Sequence, residues 1–493
     1  MALTKTHSRL IEGSEINVFD YMTPAQITSV KAEDLTEDVT SAIQAALDAG
    51  EKNTVRFPAG RYKITSPLYV YQYCRIVGQG TGDSGSHVTN IHKTTSTVGT
   101  GSETSGGITD TYNVNAIVIM SKRGSSYNRW SSIENIRLSG ATNTVDYGIY
   151  CPRGNGLELE RVAVYGCRVG FYTVDSWMCS FDHAFFDQPA TTLGTSYGIQ
   201  WDGGSGGGSG TGTSLAASNV YCKGFEYGMW LNGLSYSSIV SSGCDNCTKE
   251  AYHCEGSVIS FIGCGFEALD MGVGAVGGIY LTNGWYQLQN CVSYNITVTT
   301  GGSTACAIIW VYSSRVTIDN CKFPDYDTIT SGAPRNYHFQ ESDVVVSDTQ
   351  FPTNGTGTSR PALNGNATIQ YGTPSPSEIY NLNGDTLELV ARQSVLGIEL
   401  YNATAPSSSV TNGICLYSED VTSSAELKVR DEAGNITTLS PHNFDLIPDG
   451  ASEDMAFSYY SEKDGSKINV DMLKALRVLE RLSGEQIVYI EKE

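Results

Sequence analysis

A short pattern recurs along the middle of the chain and constrains its fold more than any other feature. A small residue is followed by a bulky one and then usually by an aromatic one, at intervals of 22, 58, 23 and 27 residues. The copies are Gly148-Ile149-Tyr150, Gly170-Phe171-Tyr172, Gly228-Met229-Trp230, Ala251-Tyr252-His253 and Gly278-Ile279-Tyr280. Repeats of about 20 to 30 residues that contain strands and no helices indicate a parallel β-solenoid.

A second column of small apolar residues runs through the same region. It contains the pairs Gly243-Cys244, Gly263-Cys264, Asn290-Cys291 and Asn320-Cys321, and apolar residues alternate before each pair. Because alternation turns every second side chain toward the interior, we expect Cys244, Cys264, Cys291 and Cys321 to be buried free thiols in one internal column. The 13 cysteines contain a single C-x-x-C pair and no second pair that would complete a zinc site. No metal or other cofactor is predicted.

Composition narrows the class of protein. The 31 Lys and Arg against 52 Asp and Glu give a net charge of −21, which disfavours binding to nucleic acid or to anionic membrane surfaces. Neither a signal peptide nor an apolar run of about 18 residues is present, so membrane insertion is not expected. Only 17% of residues are charged, whereas 53 are Gly and 29 are Tyr. This balance suits short strands and tight turns, and predicts an all-β fold.

Periodicity divides the chain into six predicted segments. They are an N-terminal arm (1–15), an N-terminal cap (16–74), a parallel β-helix (75–351) with a Gly-rich insertion at about 189–214, a linker (352–379), a small β domain (380–445) and a helix-containing tail (446–493).

Two helices are predicted, one in the cap and one in the tail. Val39, Ile43 and Leu47 recur every four residues, with Asp38 or Thr36 as the N-cap and Gly50 as the stop. In the tail, Asn469 is expected to cap a helix that carries Met472 to Leu482 and ends at Gly484.

The N-terminal sequence resembles a known family. Residues 17–21 read Asn-Val-Phe-Asp-Tyr, and residues 55–62 read Val-Arg-Phe-Pro-Ala-Gly-Arg-Tyr. With the helix between them, these motifs resemble the opening of the pectate-lyase-like superfamily as found in phage tailspikes, and the resemblance extends over roughly residues 16–350. The run from Glu426 to Asn435 is similar to tail-fibre C-termini.

The resemblance implies both a fold and a function. The fold would be a right-handed parallel β-helix with an N-terminal capping helix and a small C-terminal β domain that ends in a short helix. The function would be that of a homotrimeric tailspike in the virion tail, attached to other tail proteins, which binds and depolymerises capsule or lipopolysaccharide at the host cell surface. The calcium-binding Asp cluster and the catalytic Arg of the classical pectate lyases have no clear counterpart here, which favours hydrolysis.

Three carboxylates are the predicted catalytic residues. Asp187 and Asp245 each lie 17 residues after an aligned glycine, Gly170 and Gly228, so we expect them on successive coils. When the two Gly-Cys pairs at 243 and 263 are aligned, Asp245 and Glu267 point outward from one face with an offset of two residues. Neighbouring carboxylates raise each other's pKa unequally, which is the division into acid and ionised partner that glycoside hydrolysis needs.

A set of aromatic and polar residues on the same coils is predicted to bind substrate. Aromatic faces stack on sugar rings, and a Gly-rich loop with embedded aromatics can wall a glycan groove. The candidates are Trp201, Tyr197, Trp230, Tyr236, His253 and Asp182. Solenoid packing is the alternative for those within strands, and Trp201 is the residue that core burial explains least well.

Two other functions remain open at this point. In a non-enzymatic virion adhesin, the same groove would only bind glycan. In a polysaccharide lyase, a base would abstract a proton beside a uronic carboxylate, and the available groups are His183, His253, Lys223 and Tyr197.

Overall fold

The computed structural model describes most of the chain. The described residues are 15–82, 88–105, 108–121, 123, 125–188, 194–203, 212–272, 275–299, 306–330, 334, 337–347, 349–352, 362–364, 368–371, 413–421, 424–439, 444–453 and 456–489. The chain forms two compact units, Met1–Glu388 and Leu389–Glu493.

The first unit is the right-handed parallel β-helix that the sequence predicted. Its strands form because apolar and polar residues alternate. In Arg315–Asp319, for example, Val316 and Ile318 are buried while the residues between them face outward. Each turn of the helix, called a coil below, repeats this alternation and pairs in register with the next coil, so the inward side chains stack into a continuous core.

Most coils contribute strands to a long parallel sheet of 20 strands. These are Ile16–Asn17, Thr54–Arg56, Gly60–Ile64, Arg75–Val77, Thr89–Lys93, Ser132–Gly140, Glu158–Tyr165, Ser180–Asp182, Phe185–Asp187, Ala216–Ser218, Tyr221–Lys223, Ser237–Val240, Gly243–Asp245, Val258–Ile262, Gly265–Glu267, Trp285–Gln289, Val292–Tyr294, Arg315–Asp319, Asp343–Ser347 and Thr368–Tyr371.

A second parallel sheet has eleven strands. They are Leu68–Val70, Ala116–Met120, Val145–Tyr150, Cys167–Thr173, Tyr197–Asp202, Tyr227–Asn232, Glu250–Glu255, Gly277–Thr282, Ala307–Tyr312, His338–Gln340 and Ala362–Asn364.

Shorter sheets complete the unit. A five-stranded corner sheet contains Asn128–Arg129, Arg153–Asn155, Asp175–Trp177, Gly212–Thr213 and Leu234–Ser235. A three-stranded sheet contains Asp270–Met271, Thr297–Val298 and Thr328–Ile329, and Gly99–Ser105 pairs with Ile108–Val114 as a hairpin.

The cysteine prediction is confirmed in its main point. Cys244, Cys264, Cys291 and Cys321 are buried free thiols inside the coils. They do not form one column, however, because Cys244 pairs in register with Cys222 on one side and Phe266 on the other. Aligning the two Gly-Cys pairs was therefore wrong by two residues, a slip that leaves inward residues inward and so escapes detection by alternation.

Two α-helices and a 3₁₀ turn, Val18–Tyr21, form the N-terminal cap, where the sequence predicted one helix. The helix that was missed, α1 (Pro24–Ala32), begins with a capping box between Thr23 and Gln26. The predicted helix is α2 (Thr40–Ala49), which buries Ile43 and Leu47. The residue at its N-cap is Val39, and Asp38 accepts a hydrogen bond from the Thr40 backbone at 3.0 Å.

The β-helix differs from the predicted boundaries at two places. Strands Tyr197–Asp202 and Gly212–Thr213 lie inside the stretch predicted as an insertion, and they supply an additional coil. At the other end, Ala362–Asn364 and Thr368–Tyr371 pair with the preceding coil, so the repeat continues past 351. Much of the predicted linker and the start of the predicted β domain, residues 372–412, lie outside the described residues.

The second unit contains a five-stranded antiparallel sheet. Its strands are Cys415–Val421, Ser424–Arg430, Ile436–Thr438, Ser458–Lys463 and Ser466–Asp471. The last strand leads into α3 (Met472–Ser483), which ends at Gly484 as predicted. The N-cap of α3 is Asp471, whose side chain accepts a hydrogen bond from the backbone N–H of Lys474 at 2.8 Å. Asn469 lies within the strand, so its assignment as the cap was wrong.

Candidate functional site

One outward-facing column on the long sheet brings together several chemically active side chains. Successive coils place Asp187, Lys223, Asp245, Glu267 and Tyr294 in register, and we call this set the carboxylate column. Each residue ends a three-residue strand whose middle side chain is buried in the core. Because those middle residues are anchored, the outward side chains are held at the strand spacing of about 4.8 Å.

Asp245 and Glu267 are direct neighbours in this column. They pair in register, so the predicted two-residue offset between them is wrong and their backbones are closer than that offset implies. Burial, and then the negative charge of Glu267, raise the pKa of Asp245 to about 6. Glu267 is exposed, and its Oε1 accepts a hydrogen bond from Asn295 Nδ2 at 2.9 Å. A proton at this pair is therefore retained on Asp245 to a higher pH than on an ordinary aspartate.

Two glycines lie beside the two carboxylates. Gly243 and Gly265 precede them by two residues on the same outward face and pair with each other. A Cβ on Gly243 would stand 3.0 Å from the Tyr221 ring, so the ring leans over this glycine. Tyr221 itself stacks on Phe185 with centroids 5.6 Å apart and an angle of 12°. A Cβ on Gly265 would stand 3.4 Å from the Val292 side chain, so the two glycines leave a shallow trough next to the acid pair that Tyr221 and Val292 partly cover.

Asp187 stands farther from the pair than predicted. Lys223 occupies the coil between Asp187 and Asp245, because the stretch from 189 to 214 contributes a coil of its own. Asp187 and Asp245 share a column but lie two coils apart, about 9.6 Å. The expectation that they occupy successive coils is therefore wrong, and the residue beside Asp245 on that side is a cation.

Asp182 lies outside the column. It ends the separate strand Ser180–Asp182, and the left-handed backbone of His183, with φ of 53°, turns the chain before the strand of Asp187. His183 Nδ1 is 2.9 Å from Asp182 Oδ2, and this hydrogen bond lowers the pKa of Asp182. Both side chains are exposed, and they hydrogen-bond to each other.

Tyr197, Trp230 and His253 lie on the eleven-stranded sheet, and Asp245 lies on the long sheet. His253 stacks on Trp230 with ring centroids 3.6 Å apart, and its Nδ1 lies 2.5 Å from the buried Glu250 Oε2. Tyr197 stacks on Tyr227 at 5.2 Å. These residues form an aromatic ladder between coils, as the packing alternative predicted, and are not grouped with the acid pair.

The expectation for Trp201 is wrong. Its side chain is completely buried in the β-helix core, since it lies on an inward position of the strand Tyr197–Asp202. A Cβ on Gly212 would lie 2.0 Å from Trp201 Nε1, which explains the glycine at that position of the neighbouring strand. Trp201 is therefore a packing residue. Tyr236, in contrast, is highly exposed, at a corner of the coil distant from the column.

Sequence reasoning named Lys223 only as a possible lyase group and missed Tyr221, Tyr294 and Asn295. The signal that would have found the column is the coil length itself. Lys223 lies 22 positions before Asp245, and Tyr294 lies 27 positions after Glu267. Both intervals also occur between the repeated motifs.

Two other classes of site can be assessed from the described residues. In that part of the chain, no group of three or more His, Cys, Asp and Glu side chains is arranged to hold a metal ion. None of the described helices combines the length and apolar character needed to cross a bilayer.

Comparison with known proteins finds one family-model match and several solved structures with a similar fold. Residues 30–123 match the family model for rhamnogalacturonase A/epimerase, pectate lyase-like. The gp42 tailspike of Acinetobacter phage vb_AbaP_AS12 superposes with a TM-score of 0.67 at 16% identity, over 93% of this chain and 82% of that one. No curated protein matches the sequence.

Two other solved structures match at lower TM-scores. The tailspike of Acinetobacter phage vB_ApiP_P1 gives 0.42 at 9% identity, over 93% of this chain and 78% of that one. The A-module of mannuronan C-5 epimerase AlgE6 from Azotobacter vinelandii gives 0.33 at 14% identity, over 76% and 97%. The family-model match over residues 30–123 and the gp42 superposition agree on the architecture, and the chain has the parallel β-helix fold seen in that phage tailspike.

Proposed function

We propose that this protein is a tailspike that binds a host surface polysaccharide, capsule or lipopolysaccharide, and cleaves it by hydrolysis. The single observation that carries the proposal is the pairing of Asp245 and Glu267 in register beside the paired glycines Gly243 and Gly265. Asp245, with its pKa raised to about 6, donates the proton to the leaving glycosidic oxygen. Glu267 acts as the ionised partner.

The register also favours one stereochemical outcome. Retaining glycosidases hold their carboxyls about 5 Å apart, and inverting enzymes about 6.5 to 9.5 Å apart. Two outward side chains at one register position on neighbouring strands start from a backbone spacing of about 4.8 Å. Glu267 is then the nucleophile, and the product keeps its anomeric configuration.

Tyr221 and Lys223 supply the binding contacts in this proposal. The Tyr221 ring leans over Gly243 and offers an apolar face to a sugar ring in the trough. Lys223, adjacent to Asp245 in the column, donates hydrogen bonds to sugar oxygens. Asp187, one coil beyond Lys223, binds sugar hydroxyls and not the scissile bond.

Lyase chemistry is the second candidate, because Lys223 lies where it would neutralise a uronic carboxylate. Digestion of a panel of purified capsular polysaccharides and lipopolysaccharides, followed by mass spectrometry, tests both reactions. A hydrolase adds water to each cut, whereas a lyase leaves an unsaturated uronide that absorbs in the ultraviolet. Retention on a polysaccharide without any release of fragments supports the adhesin.

The proposal includes a homotrimer at the virion tail, joined to other tail proteins and acting at the host surface. Its support is the tailspike fold together with exposed apolar residues on the second unit's sheet, such as Leu416, Tyr459 and Ile468. Exposed apolar surface of this extent on a soluble unit is typical of an interface.

The pH dependence of cleavage follows from the raised pKa of Asp245. A general acid works in its protonated form, so we expect kcat/KM to be highest on the acid side and to fall tenfold per pH unit above about 6. Initial rates of fragment release across pH measure this decline in rate, with separate checks that the protein stays folded. A rate that rises through pH 6 and stays high at pH 8 would assign the acid elsewhere.

Stability should depend on the same group with a defined sign. The folded pKa of Asp245 lies above the unfolded value of about 3.9, so its stabilising contribution is complete below that value and is lost as pH rises through about 6. Above this range, Asp245→Asn should raise the free energy of unfolding by about 1 to 2 kcal/mol, a figure reduced for partial solvent exposure. Near pH 4, denaturant melts of the two proteins should coincide within about 0.5 kcal/mol.

A further inference from the structure

A line of large apolar side chains runs along one corner of the β-helix, separate from the carboxylate column. Trp130, Met178, Tyr236 and Trp285 are 54, 51, 81 and 62% exposed, and we call them the corner ridge. Two residues after each of them, the chain lies in the long sheet, at Ser132, Ser180, Ser238 and Gln287. These four residues belong to one row that pairs in register from coil to coil: Ser132, Glu158, Ser180, Ala216, Ser238, Ser260 and Gln287. The ridge is therefore straight and parallel to the β-helix axis.

Three of the four ridge residues have an unfavourable backbone conformation. Trp130, Met178 and Tyr236 have φ of 49, 57 and 51°, in the left-handed region that bulky residues rarely adopt. Other corners of the same β-helix use residues suited to this conformation, such as Asn246 and Asn290. Trp285 differs from these three, because it lies in the strand Trp285–Gln289 with the Arg315 guanidinium 5.3 Å from its ring centroid. For the other three, a large exposed side chain on an unfavoured backbone points to selection for contact with a ligand.

The four ridge residues lie on alternate coils. Gly156, Ser214 and Val258 occupy the coils between them, and Tyr73, 38% exposed, holds the same position on the coil next to Trp130, so exposed apolar side chains also stand on adjacent coils. A Cβ on Gly156 would stand 2.4 Å from the Trp130 ring, so that ring lies across the intervening glycine.

The surface beside the ridge is polar and rich in hydroxyl groups. Two residues farther along the coils, one row of the sheet reads Ser132, Glu158, Ser180, Ala216, Ser238, Ser260 and Gln287, so four of its seven side chains carry a hydroxyl group. Serine hydroxyls both donate and accept hydrogen bonds, as sugar hydroxyls do. An apolar row for ring faces next to a hydroxyl row for ring substituents is complementary to a carbohydrate.

We propose that the corner ridge is a second glycan-binding site, which holds an uncut polysaccharide chain along the β-helix axis while the carboxylate column cleaves. The proposal rests on the proposed function. The area of the ridge argues against a second copy of the chain as the occupant. A stable protein interface buries about 800 Å² per partner. Four side chains of at most about 250 Å² each, between 51 and 81% exposed, offer less than that.

The ridge and the acid pair lie on the same coils but apart. On the coil of Asp245, nine residues separate Tyr236 from the carboxylate, and the left-handed corner at Ser241 lies between them. A single short oligosaccharide in the trough therefore does not reach the ridge. Binding of long polymer and turnover of short substrate are separable quantities.

Paired variants test the proposal. Tyr236→Asn suits the left-handed backbone and Trp285→Ala removes the other most exposed ring. We expect each change to weaken retention on immobilised capsular polysaccharide or O-chain of the panel about threefold to tenfold. Turnover of a fragment of one or two repeats should stay within twofold, and Tyr236→Asn should melt at the same temperature as the parent or higher. Tyr236→Phe and Trp285→Phe, which keep a ring, and Val98→Ser, an exposed apolar residue off the ridge, are the controls.

Binding is measured in the Asp245→Asn background, so that it does not depend on cleavage. Failure of the hydrolase proposal would leave this binding assay intact, and failure of the ridge proposal would leave the cleavage assay intact. Unchanged polymer binding in the Tyr236→Asn, Trp285→Ala double variant overturns the second site, as does a parent protein that no polysaccharide of the panel retains. A change in molecular mass in the double variant would show instead that the ridge joins copies of the chain.

Discussion

Replacing Asp245 by Asn should reduce the rate of polysaccharide cleavage at least a hundredfold while leaving the fold and polymer binding intact. The change keeps the shape and hydrogen-bonding capacity of the side chain and removes only its ability to exchange a proton. General acid catalysis contributes about 10² to 10⁴ in rate, which sets the minimum loss. Initial rates of reducing-end formation, with binding and melting measured on the same samples, give the result.

Glu267→Gln should have an effect of similar or larger size for a different reason. The amide can neither attack the anomeric carbon nor carry the charge that opposes ionisation of Asp245. Added azide should restore part of the turnover to the variant that lacks the nucleophile, with inverted product, and should not rescue a variant that lacks only a binding group. Restoration of turnover by azide would therefore identify Glu267 as the nucleophile independently of the structure.

Two matched variants define how specific these losses are. Asp319→Asn removes an outward carboxylate of the same sheet, which accepts a hydrogen bond from Ser347, and should leave the rate within twofold. Asp187→Asn should weaken substrate binding more than it lowers kcat, because Lys223 separates it from the pair. If Asp245→Asn retains more than a tenth of parental turnover, the acid is another group, and Asp187 with Asp182 comes next.

The sequence allowed the β-helix to be predicted because coil length and alternation are properties that one chain displays directly. Repeats of 22 to 27 residues with period-two patterning require stacked strands whatever the details of each turn. The same patterning predicted that Asp245 and Glu267 point outward and that Cys244 and Cys264 point inward. Burial confirmed each of these directions.

The register could not be predicted, because a slip of two residues preserves every direction. The Gly-Cys motif at 243 was equated with that at 263, whereas the left-handed corners that are equivalent in the fold are Ser241 and Gly263. A serine at a corner gives no signal comparable to glycine, so the slip went unseen. The extra coil between Asp187 and Asp245 was missed in a similar way, since the Gly-rich stretch beside Tyr197–Asp202 reads as an insertion.

Residue type alone also misassigned Trp201 and passed over Tyr221. A tryptophan next to a Gly-rich stretch suggests an exposed platform, but the space left by Gly212 admits it to the core. A tyrosine within a three-residue strand suggests packing, but its neighbour Gly243 leaves room for the ring to lie beside the acid pair. In both cases the deciding residue is a glycine, on the same coil as Trp201 and on the coil after Tyr221, whose place in the fold one sequence does not reveal.

A pair of charges on the outer face of the C-terminal sheet should dissociate the proposed trimer. Ile468 and Val470 are exposed on one strand, and Tyr459, also exposed, pairs with Val470 across the hairpin. Because these side chains are exposed in the folded unit, Ile468→Asp with Val470→Asp should not unfold it. In an interface the unpaired carboxylates would be desolvated at a cost of several kcal/mol. Light scattering after size exclusion should then give the mass of a single chain.

Ser466→Asp, at the start of the same strand, is the control for added charge and should leave the mass unchanged. Removing residues 389–493 should also yield monomers or aggregates. The helix α3 shows why the outcome is informative: Leu479 and Leu482 are exposed on a helix of 12 residues, too short to be stable in water without packing. Charge changes that leave a trimer would place the contacts on the β-helix faces, and a site completed by residues from two subunits would then have to be sought there.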